Sequence, residues 1–155
     1  MKYSESYLTN HDIDWFGIVN GVYIHVASAG GDIPSQVNDI ERLKDIHRQI
    51  SFLPDIYTNE AIEYNESGIA NILSQDSIGL MERSQYIESF TAMARKGFVS
   101  FDRTNIGDPN DNRYHLVCKP KDNKRKPKLD GLNTVKTNSK FEDWKEDLWS
   151  IWINS

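Results

Sequence analysis

Residues that could bind a ligand are placed around a strand-to-helix corner. Gly30 and Gly31 follow a strand-like segment and precede a helix start, where backbone N–H groups can approach an anion. His25, Asp32 and Asp102 could add ion-pairing or acid–base groups to a cleft at this corner. We therefore take Gly30, Gly31, His25 and Asp102 as candidate ligand-binding residues.

The same corner also fits an ordinary tight turn. It has no Gly-Lys-Ser/Thr sequence and no third glycine, so it matches neither the P-loop nor the dinucleotide fingerprint. Asp32 would place a negative charge where a phosphate would lie. These features favour a structural role, since two glycines also allow a sharp turn.

Residues 108–119 resemble the start of a calcium loop. The first three ligand positions match, at Asp108, Asn110 and Asn112. However, Arg113 stands where such a loop needs glycine, and Lys119 stands where it needs a bidentate glutamate. No two of the four histidines have the i, i+4 spacing of a helical zinc site. We predict no metal and no cofactor.

The single cysteine, Cys118, excludes an intrachain disulfide. It could form a nucleophile–base pair across the sheet with His25 or His115. Because it stands in an apolar strand, a role as a small hydrophobic side chain is favoured. We assign no catalytic residue, and the sequence favours a protein that is not an enzyme.

The charge is distributed unevenly. Residues 1–118 hold 9 Lys/Arg against 17 Asp/Glu, a net of −8, whereas residues 119–140 hold 8 against 2, a net of +6. Residues 141–155 have a net of −3, from 1 against 4. Residues 119–140 could bind nucleic acid, but they lack interleaved aromatic side chains. An acidic body repels nucleic acid, so this function is not favoured.

Three of the four tryptophans, Trp144, Trp149 and Trp152, lie near the C-terminus. On one helix they cannot all face the same way. One or two would pack on the domain, and another would lie at the rim or in a homodimer or partner interface, where tryptophan is enriched. We take all three as candidate partner-binding residues.

The sequence predicts two β-hairpins and two long helices. Strands over 13–19 and 22–27 flank Asn20-Gly21, which fits a type I′ turn. Helices are predicted from Pro34 or Ser35 to about 52 and over 77–96, with a shorter one near 59–64 and a break at 65–68. A second hairpin joins strands 98–102 and 114–119 through a polar loop.

These elements predict an α+β fold in a single small domain. An antiparallel sheet of about four or five strands is covered by the two long helices. The core spans 1–120, a basic flexible loop spans 121–138, and an amphipathic helix over 139–155 packs on the core or on a partner. With no transmembrane run and no apolar leader, we expect a cytoplasmic protein away from membranes.

Three segments together resemble a group of small bacterial proteins. They are Asp14-Trp15-Phe16 with Asn20-Gly21, residues 27–34 (ASAGGDIP), and residues 94–102 (ARKGFVSFD) followed by 114–117 (YHLV). The resemblance covers about residues 12–120 and implies a small α+β domain with no established activity. Some such proteins are similar to immunity proteins, which block a toxin. No catalytic residues come with the resemblance.

The sequence thus favours a protein-binding function, in which an immunity-like protein inhibits a toxin-like partner. The acidic body would complement a basic active site and speed association. One alternative is a small enzyme or ligand-binding domain with its site near Gly30-Gly31. Another is a nucleic-acid-binding module that uses residues 119–140.

Overall fold

The structure, a computed structural model, describes residues 1–75, 78–108, 110–111, 113–135 and 150–152. The α-helices in this part are α1 (Glu5–Asn10), α2 (Ile40–Ser51), α3 (Glu66–Leu73) and α4 (Arg83–Arg95). The strands are β1 (Asp14–Val19), β2 (Val22–Ala27), β3 (Ile62–Tyr64), β4 (Val99–Arg103), β5 (Arg113–Pro120) and β6 (Ser150–Trp152). The predicted α+β class is confirmed.

The sheet is mixed, which corrects the prediction of an antiparallel sheet. Five strands lie in the order β1-β2-β4-β5-β3, and β6 also pairs with β5. Strands β2 and β4 are parallel, with Ala27 opposite Asp102, and the other pairs are antiparallel. The long connection from β2 to β4 carries three helices, and it returns the chain to the end where β2 began. A crossover of this kind gives parallel neighbours.

Both predicted hairpins are present as antiparallel pairs. In the β1–β2 turn, Asn20 and Gly21 both have positive φ, at 50° and 78°. A type I′ turn requires this at both central positions. Strands β4 and β5 form the second pair.

Helix α2 begins at Ile40, several residues after the predicted start. The Asp39 carboxylate caps it by accepting from the Arg42 N–H at 3.2 Å. Asn38 accepts from the backbone N–H of Tyr3 at 2.8 Å, which ties the preceding segment to the N-terminus. Likewise α4 begins at Arg83 rather than at 77, behind a capping box formed by Glu82 and Gln85.

The region after α2 also differs from its prediction. Residues Asn59–Ala61 form one 3₁₀ turn, and the next three form β3 instead of extending a helix. The predicted break at 65–68 is the start of α3, where the Asn65 side chain accepts from Gly68 N–H. The Asn65 amide also donates to the Leu116 carbonyl at 3.0 Å, so the cap is fixed to β5.

The described part of the basic segment (residues 119–140) contributes to the core. Leu129, Leu132 and Val135 are buried, and Thr134 forms a parallel bridge with Ile18. Its predicted mobility stays a prediction. Most of the helix predicted over 139–155 lies outside the described residues, but Ser150–Trp152 form a strand and not a helix.

The buried side chains form three clusters around the sheet. One includes Trp15 and Tyr114, whose rings meet edge to face at 6.3 Å. Another joins α3 and α4 to β5 through Ile69, Phe90 and Val117. The third packs α2 on Phe16 and Phe98, among others. In the part of the chain that the structure describes, no helix is long and apolar enough to cross a membrane.

Candidate ligand-binding site

A cavity of about 500 Å³ opens where β2 and β4 end. Its walls come from the α1–β1 connection, the glycine corner after β2, the first half of α4 and the loop after β4. The side chains that matter for its chemistry are Asp12, Asp14, Asp102, Tyr86 and Phe90. Its volume is in the usual range for small-molecule sites.

The topology explains why these residues meet. Because β2 and β4 are parallel, Ala27 and Asp102 reach the same edge of the sheet side by side, and ligands commonly bind at such carboxyl ends. Helix α4 leads into β4 through Gly97, whose φ is +106°. The helix therefore runs back along the strand, and its residue Tyr86 lies beside Asp102.

Asp102 is the buried acid of the cavity, with 3% of its surface exposed. Its Oδ2 accepts a hydrogen bond from the Tyr86 hydroxyl, and its Oδ1 accepts from the Arg103 backbone N–H at 2.8 Å. Burial, with a smaller contribution from the charges of Asp12 and Asp14, raises the pKa of Asp102 to about 7. Burial and the Asp102 charge also raise the pKa of Tyr86, so its hydroxyl keeps its proton.

Asp12 and Asp14 are more accessible. The Oδ1 of Asp12 accepts from the Ala29 backbone N–H at 2.9 Å, and burial raises the pKa of Asp12 despite this bond. Burial alone would raise the pKa of Asp14, but the His25 and His47 side chains reverse the shift and lower it. The His25 Nε2 lies 3.4 Å from the Oδ1 of Asp14.

His25 lies behind Asp14 and has 1% of its surface exposed. Its Nδ1 is 3.1 Å from the Ser100 Oγ, and that hydroxyl donates to the Phe90 carbonyl at 3.2 Å. Since the hydroxyl proton goes to Phe90, we infer that His25 Nδ1 carries a proton. The Nε2 makes no hydrogen bond within the described residues.

Gly30 lines the cavity, whereas Gly31 packs against the Arg103 side chain. Arg103 is fully buried, and its side chain donates hydrogen bonds to four backbone carbonyls at distances of 3.2 Å or less. These carbonyls belong to Ala29, Asn105, Asp108 and Asp111. The arginine thus joins the glycine corner to the loop after β4, and so fixes two walls of the cavity.

The four predicted ligand-binding residues are therefore only partly brought together. Gly30 and Asp102 line the cavity, His25 acts through Asp14, and Gly31 supports the corner from behind. Asp32 lies elsewhere, where its backbone carbonyl accepts from the Tyr114 hydroxyl at 3.0 Å. The side chains of the three C-terminal tryptophans lie outside the described residues.

Sequence reasoning missed Asp12, Asp14, Tyr86 and Arg103. Only Asp14 had a usable signal, because it begins the Asp-Trp-Phe segment used in the resemblance. Tyr86 reaches Asp102 because α4 runs back along β4, and Asp12 lines the same cavity because β2 and β4 are parallel neighbours. Arg103 follows Asp102 in the chain, but no local pattern predicted its contact with the glycine corner.

The other candidate side chains lie outside this cavity. Burial raises the pKa of Cys118 to about 12, so the thiol stays neutral, and His25 contacts Ser100 rather than the cysteine. In the basic segment, Arg125 lies over the Tyr57 ring at 4.6 Å. Lys119 is buried, with its Nζ 4.0 Å from the Glu63 carboxylate. Nucleic-acid binding by residues 119–140 stays a hypothesis.

Comparison of the chain with protein-family models, with curated proteins and with solved structures finds no significant match. The resemblance over residues 12–120 therefore stays a prediction, and the function is argued from the site itself.

Proposed function

We propose that this protein binds a small molecule in the cavity at the ends of β2 and β4. The observation that carries the proposal is the position of Asp102. A buried carboxyl that faces a 500 Å³ cavity is costly to ionise, and groups of this kind concentrate at functional sites. The Tyr86 and Arg103 hydrogen bonds hold it in a fixed orientation.

The walls combine apolar and polar groups as small-molecule sites do. Ala27, Phe90 and Ile106 supply apolar surface, while the carboxylates supply hydrogen-bond acceptors. A carboxyl with a pKa near 7 could also exchange a proton with a bound ligand. Binding is the proposal, and acid–base chemistry by Asp102 would be an extension of it.

A fragment library that contains cationic, neutral and anionic compounds tests this function by protein-observed NMR. Ser89 lines the cavity from the exposed side of α4, so Ser89→Phe should block the site. Ser84 is also exposed on α4 but does not line the cavity, which makes Ser84→Phe the matched control. We expect fragments whose shifts map to the cavity in the wild type and Ser84→Phe but not in Ser89→Phe. A library without such a fragment would refute the proposal.

Binding of a toxin-like protein partner is the second candidate, and it is favoured by exposed apolar side chains beside the cavity. Leu80 is fully exposed, and Met81, which lines the cavity, is 43% exposed. Exposed apolar groups of this kind are typical of contact surfaces.

Co-purification with the product of the neighbouring gene tests the second candidate. Leu80→Asp should weaken the complex at least tenfold. Phe52 is 82% exposed at the end of α2, so Phe52→Asp is the matched control and should have no effect. Equal binding by both variants, or no complex at all, would count against a partner at this surface.

A further inference from the structure

We propose that the ligand of this cavity is an organic cation, with an ammonium group attached to a compact apolar body. This inference rests on the proposed function, because it names the class of molecule that the same cavity takes. It follows from the acidic and the apolar side chains that together line the cavity.

Carboxylates outnumber basic side chains around the cavity in the part of the chain that the structure describes. Of the described residues, Asp12, Asp14 and Asp102 line it, together with His11 but with no lysine or arginine. The guanidinium of Arg103, which follows Asp102 in the chain, is directed to backbone carbonyls at the glycine corner and the loop after β4. The carboxylates would therefore repel an anionic ligand and attract a cation.

Two carboxylates keep an oxygen available for a ligand. Asp12 uses Oδ1 for the Ala29 N–H, and Asp14 places Oδ1 toward His25. Within the described residues, the structure gives neither Oδ2 a hydrogen bond. An ammonium group carries three donors and can bond to more than one such oxygen.

The buried His25 supports the acidic part of the cavity from behind. Its Nε2 is buried, has no hydrogen bond within the described residues, and points toward Asp14. The ring is itself fixed through Ser100. The imidazole thus lies against the Asp14 carboxylate, and Asp14 itself lines the cavity.

The apolar side chains of the lining explain why the cation should be organic. Phe90, Ile78 and Ile106 line the cavity, and Tyr86 adds a second aromatic ring. Apolar side chains contribute nothing to a hydrated metal ion, but they gain from contact with a hydrocarbon body. Aromatic rings also attract an ammonium group placed over their faces.

Three probes of similar size and different charge test the inference. They are 2-phenylethylammonium, 2-phenylethanol and 3-phenylpropanoate, titrated into the full chain by calorimetry at pH 8 and low salt. We expect the ammonium ion to bind at least tenfold more tightly than the alcohol, and the carboxylate to give no measurable binding. Added salt should weaken the ammonium complex, because the attraction is electrostatic.

Single charge-neutralising variants locate the effect. Asp12→Asn and Asp14→Asn should each weaken binding of the ammonium ion about tenfold. Glu88 is exposed on α4 and does not line the cavity, so Glu88→Gln, with the same change of net charge, should leave the affinity unchanged. A uniform loss in all three variants would mean non-specific attraction and would overturn the inference.

The failure of this inference is distinguishable from the failure of the proposed function. If the alcohol or the carboxylate binds in the cavity as tightly as the ammonium ion, the inference that the ligand is a cation is overturned, whereas the proposed ligand-binding function stands. If the ammonium ion does not bind, the inference is likewise overturned. The proposed function itself falls only when no fragment of the mixed library reaches the cavity.

Discussion

The hydroxyl of Tyr86, on helix α4, donates a hydrogen bond to the buried Oδ2 of Asp102, at the end of strand β4. These residues are brought together because α4 runs back along β4 after the turn at Gly97. The contact orients the one fully buried acid among the described cavity residues, and the pKa of Asp102 depends on it.

Tyr86→Phe should raise the pKa of Asp102 above about 7. The hydroxyl stabilises the ionised carboxylate, and a hydrogen bond to a charged group is worth roughly 1.5–3 kcal/mol. A carboxyl ¹³C NMR titration measures the change. Tyr64→Phe is the matched control, since that hydroxyl pairs with the Thr91 Oγ1 at 2.9 Å and should not affect Asp102. An unchanged pKa in Tyr86→Phe would contradict this contact.

Asp102 and His115, both buried, should change the free energy of unfolding in opposite directions as the pH rises. Burial raises the pKa of Asp102 from 3.8 to about 7 and lowers that of His115 from 6.5 to about 4. The stability linked to Asp102 is fully present below about pH 4 and is lost as pH rises to 7. The stability linked to His115 is present above about pH 6.5 and is lost as pH falls to 4. The effects are on the order of 4 kcal/mol for Asp102 and about 3 kcal/mol for His115.

A variant that lacks one of these two groups should show the pH dependence of stability that the other group causes. In Asp102→Asn the free energy of unfolding should increase with pH between 4 and 7, relative to the wild type. In His115→Asn it should decrease over the same interval. Urea unfolding at pH 4.5, 5.5 and 6.5 measures both slopes. Two variants with the slope of the wild type would show that neither group titrates as the structure requires.

Gly31→Ala should destabilise the fold by roughly 1–3 kcal/mol. A Cβ at this position would lie 2.5 Å from the Arg103 Nη1 and 2.8 Å from its Cδ, and the buried arginine has no room to move. Gly107→Ala is the control, because its nearest neighbour, the Asn105 Oδ1, would be 3.9 Å away. Thermal unfolding compares the two, and equal loss in both would argue against the contact with Arg103.

Arg103→Met should cost about 3 kcal/mol or more, since it leaves several carbonyls without their donor. Arg113 forms a partly exposed ion pair with Asp111 at 2.7 Å, so Arg113→Met should cost less than about 1 kcal/mol. Urea unfolding gives both values. Similar losses would mean that the buried arginine does not hold the glycine corner.

The sequence predicted the elements that depend on local signals. Asn20-Gly21 placed the first hairpin, since few other pairs adopt positive φ twice, and periodic apolar residues located α2 and α4. Their starts were wrong because the caps at Asp39 and Glu82 prevailed over proline and serine signals upstream. Residues 62–64 form a strand and not a helix because they pair with the free edge of β5.

The site was less predictable than the fold. Gly30 and Asp102 were identified from the glycine corner and the end of a strand, and both line the cavity. The grouping of Asp12 and Asp14 with Asp102 required the parallel pairing of β2 and β4, which brings segments far apart in the chain to one edge. Tyr86 joins them because α4 runs back along β4. No local pattern carries that information.

Intermolecular NOEs from bound 2-phenylethylammonium would show whether the cavity receives an organic cation. The cavity predicts NOEs from the phenyl protons to the side chains of Phe90 and Ile106, and their loss in Ser89→Phe. NOEs to a distant exposed side chain such as Phe52, with none to the cavity, would contradict it.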